Sequence, residues 1–238
     1  MSAVADVLTA PERGIGPGWV RRALDVLAAG GSLIVLAPLL VLLAAVVRLT
    51  SRGPVIFRQQ RVGQGGRIFT LYKFRSMRPG ALGPDVTIPG DGRVTRVGGF
   101  LRATSLDELP QLINVLRGDM TLVGPRPETP ALASRYPDDC RGVFLFRPGL
   151  TGPAQLRYRD THVMSADTDD PESYYMTVLV PARTAVDLEY LARPSLRRTL
   201  GWIFETAAHG FGSSPPAAAS VAHVLATASL EQPQGEPS

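Results

Sequence analysis

Cysteine, histidine and lysine are scarce in this chain, and each scarcity excludes something. The single cysteine, Cys140, permits no intramolecular disulfide, and the three histidines, His162, His209 and His223, form no Cys/His zinc spacing with it. That usage fits a reducing, cytosol-facing protein without a structural metal. Among 25 basic residues only Lys73 is a lysine. Acidic residues are missing from one long stretch: between Arg48 and Arg102 eleven basic residues stand against two acidic ones, Asp85 and Asp91. This block attracts anions. No recognisable reading module accompanies the arginines, so no nucleic-acid partner is expected. Phosphorylated substrates and anionic membrane lipids fit better, since the block begins where the one long apolar run ends. The length of 238 residues allows one compact domain with accessories.

The apolar run extends from Val26 to Val47, 22 residues without a charge. It is long enough to cross a bilayer core of roughly 30 Å. It is too long for the apolar region of a secretory signal, and a basic block follows where a translocated chain would begin. Arginines flank both ends, Arg21 and Arg22 before it and Arg48 and Arg52 after it, so charge favours both ends in the cytoplasm. Pro38 stands near the middle and frees the carbonyl of Ile34. A break there leaves arms of about 12 and 10 residues, each reaching only roughly half the bilayer core at 1.5 Å per residue. Two topologies follow: a hairpin that enters and leaves on one face, or a plain spanning helix.

Composition divides the rest. Residues 1–18 read as a flexible lead, 19–52 as the membrane segment, 53–212 as the cytoplasmic domain and 213–238 as a disordered tail. Val55 to Val62 and Arg67 to Phe74 are β-rich runs joined by Gly63-Gln64-Gly65-Gly66, a hairpin signal. The stretch 79–92, rich in glycine and proline, reads as a loop over a site. Leu106, Leu109, Leu112, Ile113 and Leu116 recur at helical spacing, with Pro110 confined to a first turn and Gly118 as the stop. Tyr174 to Ala192 and Leu196 to Phe211 show helical apolar spacing with interspersed arginines; such helices pack on the core or lie on a membrane interface.

The candidate chemistry sits on the helix start. Asp107 and Glu108 are neighbouring carboxylates that can supply an oxygen nucleophile and a hard ligand for Mg2+. The same residues admit a structural reading, because Ser105-Leu106-Asp107-Glu108 is a capping box and acidic first turns suit any helix. Pro125, Arg126 and Pro127 form a rigid turn that holds a guanidinium fork toward a phosphate or a flat base at little ordering cost. Arg147 opens a second Pro-Gly loop and can face a phosphate; an ordinary surface ion pair explains either arginine as well. Lys73, alone among arginines, suits a contact where a compact ammonium fits and a guanidinium does not, unless it is merely a survivor of compositional bias. Arg75, two residues on, is a second phosphate candidate, with a solvated strand charge or a headgroup contact as its alternatives.

Four motifs occur in order behind the apolar run: GPVIFRQQRVG (Gly53 to Gly63), LYKFRSM (Leu71 to Met77), RVTRVGGFLRATSLDELPQLINVLRGDMTLVGPRPE (Arg93 to Glu128) and RPGLTGPAQL (Arg147 to Leu156). Together they resemble the bacterial sugar transferases, the monotopic polyprenyl-phosphate phosphoglycosyl transferases. The resemblance implies a re-entrant membrane segment, a cytoplasmic-face active site at the inner membrane, and transfer of a sugar 1-phosphate from a UDP-sugar to undecaprenyl phosphate with UMP released. It implies Asp107 as the nucleophile that carries the sugar phosphate, Glu108 as the Mg2+ ligand, and nucleotide binding near Pro125-Arg126-Pro127. A homodimer is admitted. The alternatives are a glycosyl transferase that releases UDP and a catalytically silent membrane-bound assembly factor. Two departures stand out: Ala37 replaces the serine that commonly precedes the central proline, and Arg197-Arg198-Thr199 stands where many relatives carry an aspartate. The expected fold is α+β and predominantly helical, with a re-entrant helix-break-helix, a small β-hairpin and C-terminal amphipathic helices.

Overall fold

The computed structural model describes residues 18–80, 91–158 and 171–210. The expected lead, most of the 79–92 loop and the tail lie outside the described residues, as do His162 and His223.

Helix α1 (Gly18–Thr50) is one helical element that runs through Pro38. The two arms expected from a break at Pro38 are therefore not separate elements. Proline removes one ladder bond at a cost of roughly 3 kcal/mol, but packing holds the turns on either side of it. That packing follows a helical period: Asp25, Ala29, Leu43 and Val47 are buried, with Leu33, Leu39, Leu40 and Ala44 packed between or beside them. The other side is bare, with Leu27, Ile34, Val35, Val41 and Leu49 70–85 % exposed. Among the described residues this is the one helix long and apolar enough to cross a membrane.

Both ends of α1 are tied to the same body. The Arg21 guanidinium donates to the Val123 carbonyl at 2.7 Å, and Arg22 to the Val115 and Leu116 carbonyls at 2.5 and 2.6 Å. Buried Asp25 accepts from the Leu122 N–H at 3.0 Å and the Thr121 hydroxyl at 2.8 Å. At the far end Arg75 donates to the carbonyls of Val47 at 3.2 Å and Ser51 at 2.7 Å, and to that of Pro54. The bonds to Val115, Leu116 and Val47 satisfy carbonyls that a helix end otherwise leaves without partners.

Strands β1 (Ile56–Val62) and β2 (Ile68–Phe74) form the expected antiparallel hairpin, with Phe57 opposite Lys73 and Arg61 opposite Phe69. Side chains alternate along a strand, so Arg61, Leu71 and Lys73 share one face. Helix α2 (Arg96–Ala103) is capped by Thr95, whose hydroxyl accepts from the Gly98 N–H at 2.9 Å. The helix expected from Leu106 is split into a 3-10 segment (Leu106–Gln111) and helix α3 (Leu112–Arg117). Pro110 is the cause, since it cannot donate to an α-helical ladder and the chain tightens around it. Gly118 stops α3 at φ 88°, as expected.

Asn114 joins α3 to the hairpin. It is fully buried, accepts from the Tyr72 N–H at 3.1 Å and donates to the Thr70 carbonyl at 2.7 Å. It thus does for β2 what a neighbouring strand would do. The parallel pair β3 (Thr121–Val123) and β4 (Gly149–Thr151) was not anticipated, because three-residue strands are too short to show periodicity. Helices α4 (Pro130–Ser134), α5 (Pro153–Arg157), α6 (Pro171–Tyr174), α7 (Val180–Ala192) and α8 (Leu196–Gly210) complete the described body, with a π-helical turn (Tyr175–Leu179) between α6 and α7. They enclose a core of Val123, Tyr136, Leu179, Val180, Leu188 and Tyr190. Helix α8 packs Trp202 and Ile203 on that core and leaves Leu196, Leu200 and Phe204 exposed. The Thr199 and Tyr190 hydroxyls share a hydrogen bond of 2.7 Å.

Asn114→Ala strands the Tyr72 N–H and the Thr70 carbonyl in the interior. The expected loss is about 2–6 kcal/mol, at 1–3 kcal/mol for each unsatisfied group, measured by denaturant unfolding in detergent.

Candidate active site

The hairpin face and the 3-10 segment meet at a small cavity. Arg61, Leu71 and Lys73 line it from the hairpin, Glu108 and Gln111 from the 3-10 segment, Arg126 and Pro127 from the turn opposite, Gly149 from β4 and Gln155 from α5. Lys73 Nζ lies 2.8 Å from Glu108 Oε1. The cavity thus gathers one ammonium and two guanidiniums around a carboxylate, a set that suits a multiply charged anion.

Asp107 lies beside Glu108 and is buried, at 6 % exposure. Burial pushes its carboxyl up to about 6, the Lys73 charge opposes that shift, and the Glu108 carboxylate adds to it. Arg102 also holds it down. Near neutral pH Asp107 is therefore ionised but poorly solvated, the state of a carboxylate prepared to attack.

The capping-box reading fails on geometry. Ser105 has φ 56°, in the left-handed region, and its side chain makes no capping bond. The Glu108 carboxylate is directed to Lys73. A non-glycine residue in that conformation costs roughly 1–2 kcal/mol and is a recurrent mark of functional sites.

The Pro125-Arg126-Pro127 turn is fixed by backbone contact with the 147–152 loop. The Gly149 N–H donates to the Pro125 carbonyl at 2.8 Å, and the Gly124 N–H to Thr151 at 2.9 Å. The approach is so close that a β-carbon on Gly149 would stand 2.1 Å from the Gly124 nitrogen. Arg126 keeps its charge against burial because Glu128 and Glu108 favour it. Pro125 lines a second cavity behind the turn, with Arg126, Glu128, Tyr136, Gln155 and Arg183.

The structure brings together Lys73, Glu108, Arg126 and Pro127, with Asp107 adjoining and Pro125 just behind. Two expected residues are elsewhere. Arg75 is 5 % exposed and its guanidinium is occupied with the end of α1, so the phosphate contact expected of it is replaced by a helix-end role. Its guanidinium turns back to the 47–54 segment and does not line the cavity. Arg147 precedes β4 and does not line the cavity. Sequence reasoning missed Arg61, Gln111, Gln155 and the influence of Arg102. Hairpin register would have found Arg61, and Gln111 stands three residues after Glu108 on the same turn.

No group of three or more His, Cys, Asp or Glu side chains among the described residues could hold a metal alone. The donor chemistry nevertheless fits Mg2+, which is commonly held by one or two carboxylates plus substrate phosphates.

A family model of bacterial sugar transferases matches residues 17–213. The chain belongs to that family. It is 45 % identical over 192 residues to a UDP-glucose:undecaprenyl-phosphate glucose-1-phosphate transferase of Caulobacter vibrioides, covering 78 % of this chain and 67 % of the relative. An Escherichia coli protein of the same name is 40 % identical over 81 % of this chain, which spans 40 % of that relative's length. The exopolysaccharide production protein PSS of Rhizobium leguminosarum is 37 % identical, covering 79 % of this chain and 92 % of its own. As a member of the family this sugar transferase carries its carboxylate pair within the matched region.

Ionised Asp107 is a stability cost. Its folded value, about 6, lies above the ordinary 3.8, so the folded state binds the extra proton and stability falls as pH rises from about 4 to about 6. Asp107→Asn removes that cost and is expected to raise stability at pH 7.5 by on the order of 1–3 kcal/mol. Melting curves at pH 7.5 and pH 5 check it, the gain being larger at pH 7.5.

Proposed function

We propose that this sugar transferase moves a sugar 1-phosphate from a UDP-sugar to undecaprenyl phosphate and releases UMP, in exopolysaccharide or related glycoconjugate assembly. The convergence of Lys73, Arg61 and Arg126 on a cavity walled by Glu108 and adjoined by buried Asp107 carries this reading. Three cations suit a diphosphate better than a neutral sugar. The names of the relatives point the same way.

In the first step an Asp107 carboxylate oxygen attacks the β-phosphorus. The bond from that phosphorus to the bridging oxygen breaks, UMP leaves with both bonding electrons, and the sugar phosphate stays on Asp107 as an acyl phosphate. In the second, a phosphate oxygen of the lipid attacks the same phosphorus and frees the Asp107 carboxylate. Lys73 and Arg126 hold the diphosphate in line, and Lys73 exchanges its Glu108 contact for a phosphate oxygen when substrate arrives. Glu108 would hold Mg2+ together with the diphosphate, and the ion when bound neutralises charge on the leaving group. A transferase that moved only the sugar would also hold the diphosphate with cations, so the nucleotide released, UMP or UDP, separates the two readings. A silent assembly factor would have no reason to keep a destabilising buried carboxylate.

The same reading places the active site on the cytoplasmic face of the inner membrane, with α1 monotopic. Arg21, Arg22 and Asp25 bind one end of α1 to the domain and Arg75 binds the other, and attachment at both ends supports a helix that lies along the domain on one face of the membrane. The bare apolar face from Leu27 to Leu49 then meets lipid.

Purified protein given UDP-sugars and undecaprenyl phosphate is expected to release UMP; release of UDP would refute the phosphosugar reading. Asp107→Asn should leave no covalent sugar phosphate on the protein, as read by mass spectrometry. Lys73→Arg keeps the charge and changes only its shape, and should cost roughly ten- to a hundredfold in turnover, the size of one charge-assisted hydrogen bond made in the transition state. Tags before Trp19 and after Arg52 should both resist periplasmic labelling.

A further inference from the structure

Behind the turn that presents Arg126 lies a carboxylate that the chemistry above does not use. Glu128 is 2 % exposed and lines the rear cavity, not the one that holds Glu108 and Lys73. Its Oε1 accepts from the Tyr175 hydroxyl at 2.6 Å, and Tyr136 lines the same rear cavity. Its Oε2 lies 4.0 Å from an Arg61 nitrogen that also donates to the Pro127 carbonyl at 3.2 Å. Arg61 and Arg126 both line the front cavity. Tyr175 is itself held: Arg183 donates to its hydroxyl at 3.3 Å and lies 5.5 Å from its ring centre.

Building on the function proposed above, we propose that Glu128, fixed by the Tyr175 hydroxyl, is the permanent counter-charge that keeps Arg61 and Arg126 aimed at the substrate diphosphate. Glu128 and Tyr175 are positioning residues and touch no reacting atom. Three like charges around one small cavity repel, and repulsion is strong where water is scarce. In front, Glu108 offsets Lys73, but that carboxylate is drawn into the reaction when substrate binds. Glu128 is the anion that remains. It must also stay behind the arginines, because a carboxylate free to swing forward would compete with the diphosphate for them. The phenol prevents that swing, since it is a neutral donor that holds the carboxylate without adding a charge. The local backbone agrees with this role. Tyr175 opens the π-helical turn, a rare insertion that recurs at functional sites and resets which side chains face inward.

The test uses the full chain in lipid nanodiscs, with Glu128→Gln, Tyr175→Phe and the double variant. Calorimetry reads the Kd for UDP, and steady-state assays read KM and kcat for UDP-sugar and KM for undecaprenyl phosphate. Glu128→Gln is expected to weaken UDP binding and raise the UDP-sugar KM about tenfold, the size of one hydrogen bond to a charged group. Tyr175→Phe, which keeps the ring and its packing, should do so about three- to tenfold. In both, kcat should stay within about threefold, and KM for the lipid should not move. The double variant should be no worse than Glu128→Gln alone, because both changes act through one carboxylate. Lower melting temperatures with wild-type Kd and KM in both single variants would mean a purely structural role and overturn the inference. Independent, additive losses would overturn it too. A wild-type protein that binds no UDP would overturn the functional reading and this inference with it, which separates the two failures.

Discussion

Guanidinium bonds to main-chain carbonyls hold this protein together. Arg21 and Arg22 reach the ends of β3 and α3, and Arg75 reaches the end of α1. Each serves carbonyls at an element's end, and a planar fork with several fixed donors can serve more than one at once. Lysine, with a single compact ammonium on a flexible stem, does this poorly. The near absence of lysine thus has a structural side as well as a chemical one, and it gives Lys73 its meaning: the exception stands where the partner is a carboxylate in a cavity, not a row of carbonyls.

The site inverts that logic. Instead of cations soaking up backbone dipoles, ionised groups of both signs are crowded where water is limited, and the arrangement holds only because the charges alternate. Glu108 faces Lys73, and Glu128 backs Arg61 and Arg126. Asp107 is buried too, and its raised pKa reflects burial above all. Left-handed Ser105 marks the same economy in the backbone, since a local cost is accepted so that two neighbouring carboxylates can be presented in different environments.

Much of this was legible in the sequence, and the failures are instructive. The hairpin and the stop at Gly118 follow from periodicity and glycine placement, whereas the ion pair of Lys73 with Glu108 was not anticipated. Arg75 misled because strand alternation was carried one residue past the end of β2, whereas its guanidinium turns back to the 47–54 segment. Pro38 misled because its backbone cost was weighed without the side-chain stripe from Asp25 to Val47, a tertiary term that no local rule contains. Glu128 was invisible as anything but the end of a motif, since its partner Tyr175 is 47 residues away in sequence. The strands β3 and β4 were too short to announce themselves.

The stripe on α1 has a practical consequence. Leu71, Leu112, Val115 and Met120 close one part of the core against Ala29 and Leu33, while Phe74 and Leu101 close another against Leu43 and Val47. The membrane helix is therefore a wall of the catalytic fold and not a tether attached to it. Trimming it away to obtain a water-soluble enzyme would uncover two apolar faces and remove the buried partner of Thr121 and Leu122. The same architecture means that a cut after α1 would not free an intact catalytic fold from that helix.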